Sequence, residues 1–239
     1  LLTILIPTYN RNKDIIYNLG LLEDMILTNA LSNHVSIMVS NNASTDNTKN
    51  ELEKLKIQSK LNLTIFNQTC NLGLERNTLF LLEKASSEYI MFLGDDDYIC
   101  GDYLKAVISI LQNNREISCI IPSFRAITPE KEIIEGAGRD FDLESRIYLK
   151  GFNSCKENAF RGHQLSGLTI KRAGLWEEYT KRKVHNIYPF IFFVAYSSLN
   201  GDLYHLTDYP IKVTQELQQN KDWNYGKDGL INDIFDNYN

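Results

Sequence analysis

Asp95, Asp96 and Asp97 follow the apolar run Tyr89 to Leu93 and a single glycine, Gly94. A short, uninterrupted apolar run rich in β-formers reads as a strand buried on both faces. Adjacent carboxylates at the mouth of such a strand repel one another and resist desolvation. A hard divalent cation, Mn²⁺ or Mg²⁺, offsets that cost because it takes carboxylate oxygens. The competing reading is a solvated acidic turn, with Asp102 as N-cap of the next helix. In open α/β sheets, ligands collect at the carboxyl ends of the strands, which is where this triplet falls.

The elements around it alternate. Leu1 to Ile6, His34 to Val39, Leu61 to Phe66, Tyr89 to Leu93 and Ser118 to Ile121 read as strands. Between them lie segments with apolar residues at helical spacing: Ile15, Ile16, Leu19, Leu22 and Ile26; then Leu52 and Leu55; then Leu79 and Leu82; then Leu104, Val107, Ile108 and Leu111. Such alternation is the signature of a mostly parallel sheet flanked by helices. Pro7 cannot serve a central ladder and is expected to end the first strand. Four strand ends carry polar clusters, PTYNR, SNNASTD, NQTCNLG and GDDD, so one site at one sheet edge can use all four.

Past Pro122 the regularity breaks. Phe124 to Ile134 fits a hairpin, Leu165 to Leu175 a strand entering a helix that carries Trp176, Tyr188 to Leu199 an apolar helix, and Asp202 to Leu206 a late strand. The chain reads as a single domain over 1–239: a Rossmann-like half to residue 122, an irregular half over 123–220, and a polar, aromatic tail over 221–239.

Composition narrows the classes. A hydrophobic content of 43% supports a substantial core, and a net charge of −5 gives no basic signal for nucleic acid. The four cysteines form no C-x-x-C pair and read as reduced thiols, which suggests the cytoplasm. No stretch reaches the roughly 18 to 20 apolar residues of a membrane span. Peripheral membrane association, through chain outside this fragment, remains open. No G-x-G-x-x-G follows the first strand, which argues against a dinucleotide-dependent dehydrogenase.

Taken in order, ILIPTYNR, VSNNASTDNT, NLGLERN and EYIMFLGDDDY resemble the motifs of a family 2 glycosyltransferase with the GT-A fold, with the abequosyltransferase-like subgroup the most similar. The resemblance implies an inverting, metal-dependent transferase that takes a UDP-, CDP- or dTDP-sugar. It also implies a glycan or lipid-linked saccharide acceptor, in bacterial surface polysaccharide synthesis at the inner face of the membrane. It implies that Pro7, Thr8, Tyr9 and Arg11 line the nucleoside pocket, with Asn41, Asn42 and Asp46 near the base and Asn71, Arg76 and Asn77 near the donor phosphate or sugar. Asn41 stands where the family commonly has an acid, which leaves uridine, cytidine and thymidine open. For Asp46 a helix-capping role competes.

Within the triplet, strand alternation aims Asp95 and Asp97 to one side and Asp96 to the other. Family register puts Gly94 at the first Asp of an Asp-x-Asp-Asp pattern and Asp96 on the metal. The two readings leave Asp96 or Asp97 on the metal and Asp95 near the ribose, so all three stand as metal candidates. The family's acidic pair for the catalytic base has no clear match. His163, His185, Glu177 and Glu178 are the candidates, each against an ordinary surface role. Two other readings stand: a catalytically silent GT-A module that binds nucleotide or glycan, and a sugar-phosphate nucleotidylyltransferase, which lacks its Gly-rich loop here.

Overall fold

A computed structural model describes residues 1–183 and 188–215. The first half alternates strand and helix: β1 (Leu2–Thr8), α1 (Asn12–Thr28), β2 (Val35–Asn41), α2 (Thr48–Gln58), β3 (Leu63–Asn67), α3 (Leu74–Lys84), β4 (Tyr89–Phe92) and α4 (Gly101–Asn113). The second half comprises β5 (Ile117–Ile127), β6 (Ile133–Arg139), β7 (Arg146–Tyr148), α5 (Phe152–Asn158) and a 3-10 turn (Ala159–His163). It continues with β8 (Thr169–Lys171), α6 (Leu175–Lys181), α7 (Pro189–Asn200) and β9 (Asp202–Thr214).

One sheet runs β3-β2-β1-β4-β8-β5-β9-β7, with β6 paired to β5. Strands β3, β2, β1 and β4 are mutually parallel. Their alternate side chains feed two cores, which is why β1 and β4 are mostly apolar, while β2 and β3 carry Ser or Thr at positions that are only partly buried. Ile4, Ile6, Tyr89 and Met91 pack with α1 and α4 on one face. Leu5, Ile90 and Phe92 pack with α3, α6 and α7 on the other, where Phe92 lies 5.1 Å from Phe190 and 5.7 Å from Phe193.

Several expectations change. Pro7 is inside β1, paired in register with Ser40 of β2. It is tolerated because odd-numbered residues of β1 bond toward β4, as Leu5 does with Leu93, and that ladder has ended before Pro7. Strand β5 does not stop at Ile121; it runs through Pro122 to Ile127 and forms the expected hairpin with β6. It does not lie beside β4 either, because three-residue β8 inserts antiparallel between them. Strand β9 extends to Thr214. Helix α4 is capped by Cys100, whose sulfur accepts from the Tyr103 amide, while Asp102 pairs with Lys105 on the surface. All four cysteines are unpaired. Among the described residues, no helix is long and apolar enough to cross a membrane.

Candidate functional site

The carboxyl ends of β1, β2 and β4 meet at one edge, as parallel pairing in register requires. The GDDD loop is fixed there from several directions. Asn18, buried on α1, turns its side-chain amide onto the carbonyls of Gly94, Asp95 and Asp97 at 3.1, 3.3 and 2.8 Å. Ser166 accepts from the Gly94 amide at 2.8 Å and donates to Asp97 Oδ2 at 2.5 Å. On β9, the Thr214 amide donates to Asp97 Oδ1 at 2.8 Å, and the Thr214 hydroxyl donates to the Asp96 carbonyl. Gly94 is needed at its position: a Cβ there would stand 2.9 Å from Asp97 Oδ2 and 3.2 Å from Ser166 Oγ.

The three carboxylates therefore take different partners. Asp95 is buried and accepts from Thr8 Oγ1 at 2.6 Å. Asp96 is partly exposed and pairs with Arg11 at 2.7 Å. Asp97 is buried, with both oxygens taken by Ser166, Gln164 and Thr214. Burial, and then the charge of Asp96, push Asp95 up to about 8 and Asp97 up to about 7. The three lie past the end of β4, in a turn, so the burial of Asp95 and Asp97 and the partial exposure of Asp96 come from these partners and not from strand alternation. Among the described residues, no three His, Cys, Asp or Glu side chains surround a common metal position. The donor set suits a hard divalent cation at Asp95 and Asp96: two oxygen ligands, one of them buried against unfavourable charge that a cation would relieve. Asp97 has both oxygens engaged by hydrogen bonds within the fold.

Neighbouring loops supply the remaining candidates. Tyr9, just past the end of β1, is 41% exposed. Asn10, which the sequence reading passed over, adopts φ +53° and accepts from Thr45 N at 2.8 Å, tying the first loop to the second. Asn41 is buried, with its oxygen accepting from Ser44 N and its nitrogen donating to Asn67. Asn42 bridges to Asn71 and Leu72, and buried Asn77 grips Ser40 through its hydroxyl and carbonyl. These asparagines brace three loops against one another. Asp46 accepts from the amide and hydroxyl of Thr48, the first residue of α2, and from the Asn12 amide. Slight burial opposes its ionisation, but these bonds outweigh it and hold the carboxyl below its usual range. The N-cap of α2 is Asn47, so Asp46 supports the entry to the helix from one residue before the cap. Arg76, in the first turn of α3, is exposed and makes no hydrogen bond or ion pair among the described residues.

The base candidates separate. His163 is exposed, lies against the Tyr188 ring with centroids 4.5 Å apart and planes tilted by 33°, and adjoins Gln164, whose amide reaches Asp97 at 3.2 Å. Glu178 is tied to Arg182 at 2.9 Å on α6, and Glu177 is exposed on the same helix. His185 lies outside the described residues.

The profile of Glycosyl transferase family 2 matches residues 3–167. The chain belongs to glycosyl transferase family 2. Among curated relatives, the abequosyltransferase RfbV of Salmonella typhimurium is 28% identical over 117 residues, which is 49% of this chain and 34% of the relative. The GalNAc(5)-diNAcBac-PP-undecaprenol β-1,3-glucosyltransferase of Campylobacter jejuni is 27% identical over 158 residues, 65% of this chain and 48% of the relative. The chain thus spans from about a third to about half the length of these relatives. Among solved structures, S. aureus TarS 1-349 in complex with UDP-GlcNAc superposes with a TM-score of 0.68 at 19% identity, covering 90% of this chain and 59% of TarS. The mannosyltransferase PcManGT of Pyrobaculum calidifontis, in complex with GDP-Man and Mn²⁺, gives a TM-score of 0.62 at 14% identity, over 91% of this chain and 57% of that one. The fold is GT-A, shared with these glycosyltransferases.

Proposed function

We propose that this family 2 domain transfers a sugar, with inversion, from a nucleoside diphosphate donor to a glycan or lipid-linked saccharide acceptor in bacterial polysaccharide synthesis. The carrying observation is the convergence of Thr8, Arg11, Asp95 and Asp96 at the edge where four parallel strands end. The structures it resembles bind UDP-GlcNAc or GDP-Man, and one curated relative's name specifies a diphosphate-undecaprenol-linked substrate. Work at the inner face of the membrane follows from that class of acceptor.

In this reading Tyr9 lies along the base, and Arg11 and Arg76 meet the diphosphate with charge-assisted hydrogen bonds. Asp95 and Asp96 hold Mn²⁺ or Mg²⁺, which supplies neutralisation of charge on the leaving diphosphate. Arg11 shares that role and is pre-positioned by Asp96. The acceptor lies beyond Asp97, on the side of Gln164 and His163. Although its outer edge is exposed, partial desolvation and then the Arg139 charge hold His163 below its usual 6.5, which favours the neutral ring that can accept a proton. The first half serves the donor and 123–220 the acceptor.

The test is release of nucleoside diphosphate from a panel of UDP-, CDP-, dTDP- and GDP-sugars, with and without Mn²⁺. One donor hydrolysed slowly in the presence of metal is the expected result. No turnover, combined with retained nucleotide binding, would favour the silent binding module instead.

A further inference from the structure

A charged cluster on the acceptor side is not used by the donor reading. Arg139 ends β6, Asp140 follows it, Arg161 lies in the 3-10 turn and His205 on β9. A single oxygen, Asp140 Oδ2, faces three nitrogens: Arg161 Nε at 2.7 Å, His205 Nε2 at 3.2 Å and Arg139 Nε at 3.6 Å. Arg161 takes the hydrogen bond and is further held by the Glu157 carbonyl and Asn158. Arg139 Nε and His205 Nε2 remain buried without a hydrogen-bond partner. Burial first, and then the Arg161 charge, push His205 down to about 4, so it is neutral. Two guanidinium groups therefore face one carboxylate.

Surplus buried charge is costly unless a counter-charge arrives. Arg139 is the open member. Its side chain is 19% exposed, its Nη2 donates to the Arg161 carbonyl at 3.1 Å, and its guanidinium lies 5.2 Å from the Phe124 ring centre. Its Nη1 has no acceptor among the described residues. The cluster is also close to the donor edge. Arg161 precedes Gln164 by three residues, a chain length of at most about 11 Å, and Gln164 touches Asp97. His163 stands between them.

We propose that Arg139 binds a phosphate group carried by the acceptor, next to the sugar-transfer site. Nη1, the nitrogen left open, can give a phosphate oxygen a charge-assisted hydrogen bond, and one such group balances the surplus charge. The proposal rests on the glycosyltransferase reading, since it names the chemistry of that enzyme's acceptor.

The test follows the melting temperature of the full chain with inorganic phosphate, farnesyl diphosphate or acetate at matched ionic strength. Wild type should rise by about 4 °C at ten times the dissociation constant of farnesyl diphosphate, less with phosphate, and not with acetate. Arg139→Met should abolish the rise, while Arg76→Gln, on the donor side, should leave most of it. Asp140→Asn gives the opposite sign: it removes the competing carboxylate at a left-handed position that Asn tolerates, φ +59°, and should tighten phosphate several-fold. A rise lost in Arg76→Gln but kept in Arg139→Met would assign the phosphate to the donor and overturn the proposal. So would equal effects of acetate and phosphate, a response to phosphate but none to farnesyl diphosphate, or no tightening in Asp140→Asn. The response to nucleoside diphosphates, measured separately, reports on the glycosyltransferase reading itself.

Discussion

The side-chain amide of Asn18 lies 2.8 Å from the carbonyl oxygen of Asp97, joining α1 to a loop 79 residues further along the chain. The same amide spans the Gly94 and Asp95 carbonyls. Both groups are buried, so the loop's backbone has no water to fall back on. Asn18→Ala should cost about 1 to 3 kcal/mol, the price of stranding buried acceptors. Because the loop carries Asp95 and Asp96, nucleotide affinity should fall with stability. Denaturant unfolding and calorimetry on one preparation would check both; loss of stability with unchanged affinity would separate Asn18 from the site.

Gly94 leads to a sharper steric expectation. A methyl group at this position meets Asp97 Oδ2 at 2.9 Å and Ser166 Oγ at 3.2 Å, and both of those atoms are held by other bonds. Gly94→Ala should destabilise the fold by roughly 1 to 3 kcal/mol, the range for overpacking. Gly94→Asp, which would restore the first acid of the family pattern, should do worse. Pairing it with Ser166→Gly should recover part of the Gly94→Ala loss. No recovery would mean that the strain lies in the backbone and not in this contact.

Much of the fold was legible because two-face burial leaves an unbroken apolar run in β4 and a nearly unbroken one in β1, β2 keeps Val35, Ile37 and Val39 buried at alternate positions, and one-face burial leaves helical spacing in α1 and α4. The second half was less legible. Strand β8 is three residues long, and β5 and β9 continue through Pro122 and Pro210 at places where their ladders shift register. Site residues were legible as polar clusters at strand ends, but their division of labour was not. Asn41, Asn42 and Asn77 were read toward the donor, and each has its side-chain amide engaged within the fold: Asn41 with Asn67 at the end of β3, Asn42 with Asn71 in the loop that follows, and Asn77 with the Ser40 carbonyl of β2. Asn18, Ser166 and Thr214 carried no signal, since a polar residue in an amphipathic helix or a loop looks the same whether or not it grips a distant chain segment.

His205 sets a pH dependence. Its folded-state value, pushed down to about 4 by burial and then by Arg161, lies below the usual 6.5. The unfolded chain therefore binds the proton first as pH falls, and stability drops between about 6.5 and about 4. The upper bound is roughly 3 kcal/mol from this group. His205→Gln should flatten the stability profile across that window, leaving the acid limb set by carboxylates below it. An unchanged slope would show that His205 is solvated or protonated in the fold.

The central claim is that Asp95 and Asp96, presented with Arg11 and Thr8 at the strand ends, hold the diphosphate of a nucleotide sugar through a divalent cation. Calorimetric titration of UDP, CDP, dTDP and GDP, with Mn²⁺ and then with EDTA, tests it most directly in wild type and Asp96→Asn. The account predicts that at least one nucleotide binds with Mn²⁺, and that affinity falls ten-fold or more in EDTA and in Asp96→Asn. Equal affinity under all three conditions, or no binding by any of the four, would contradict it.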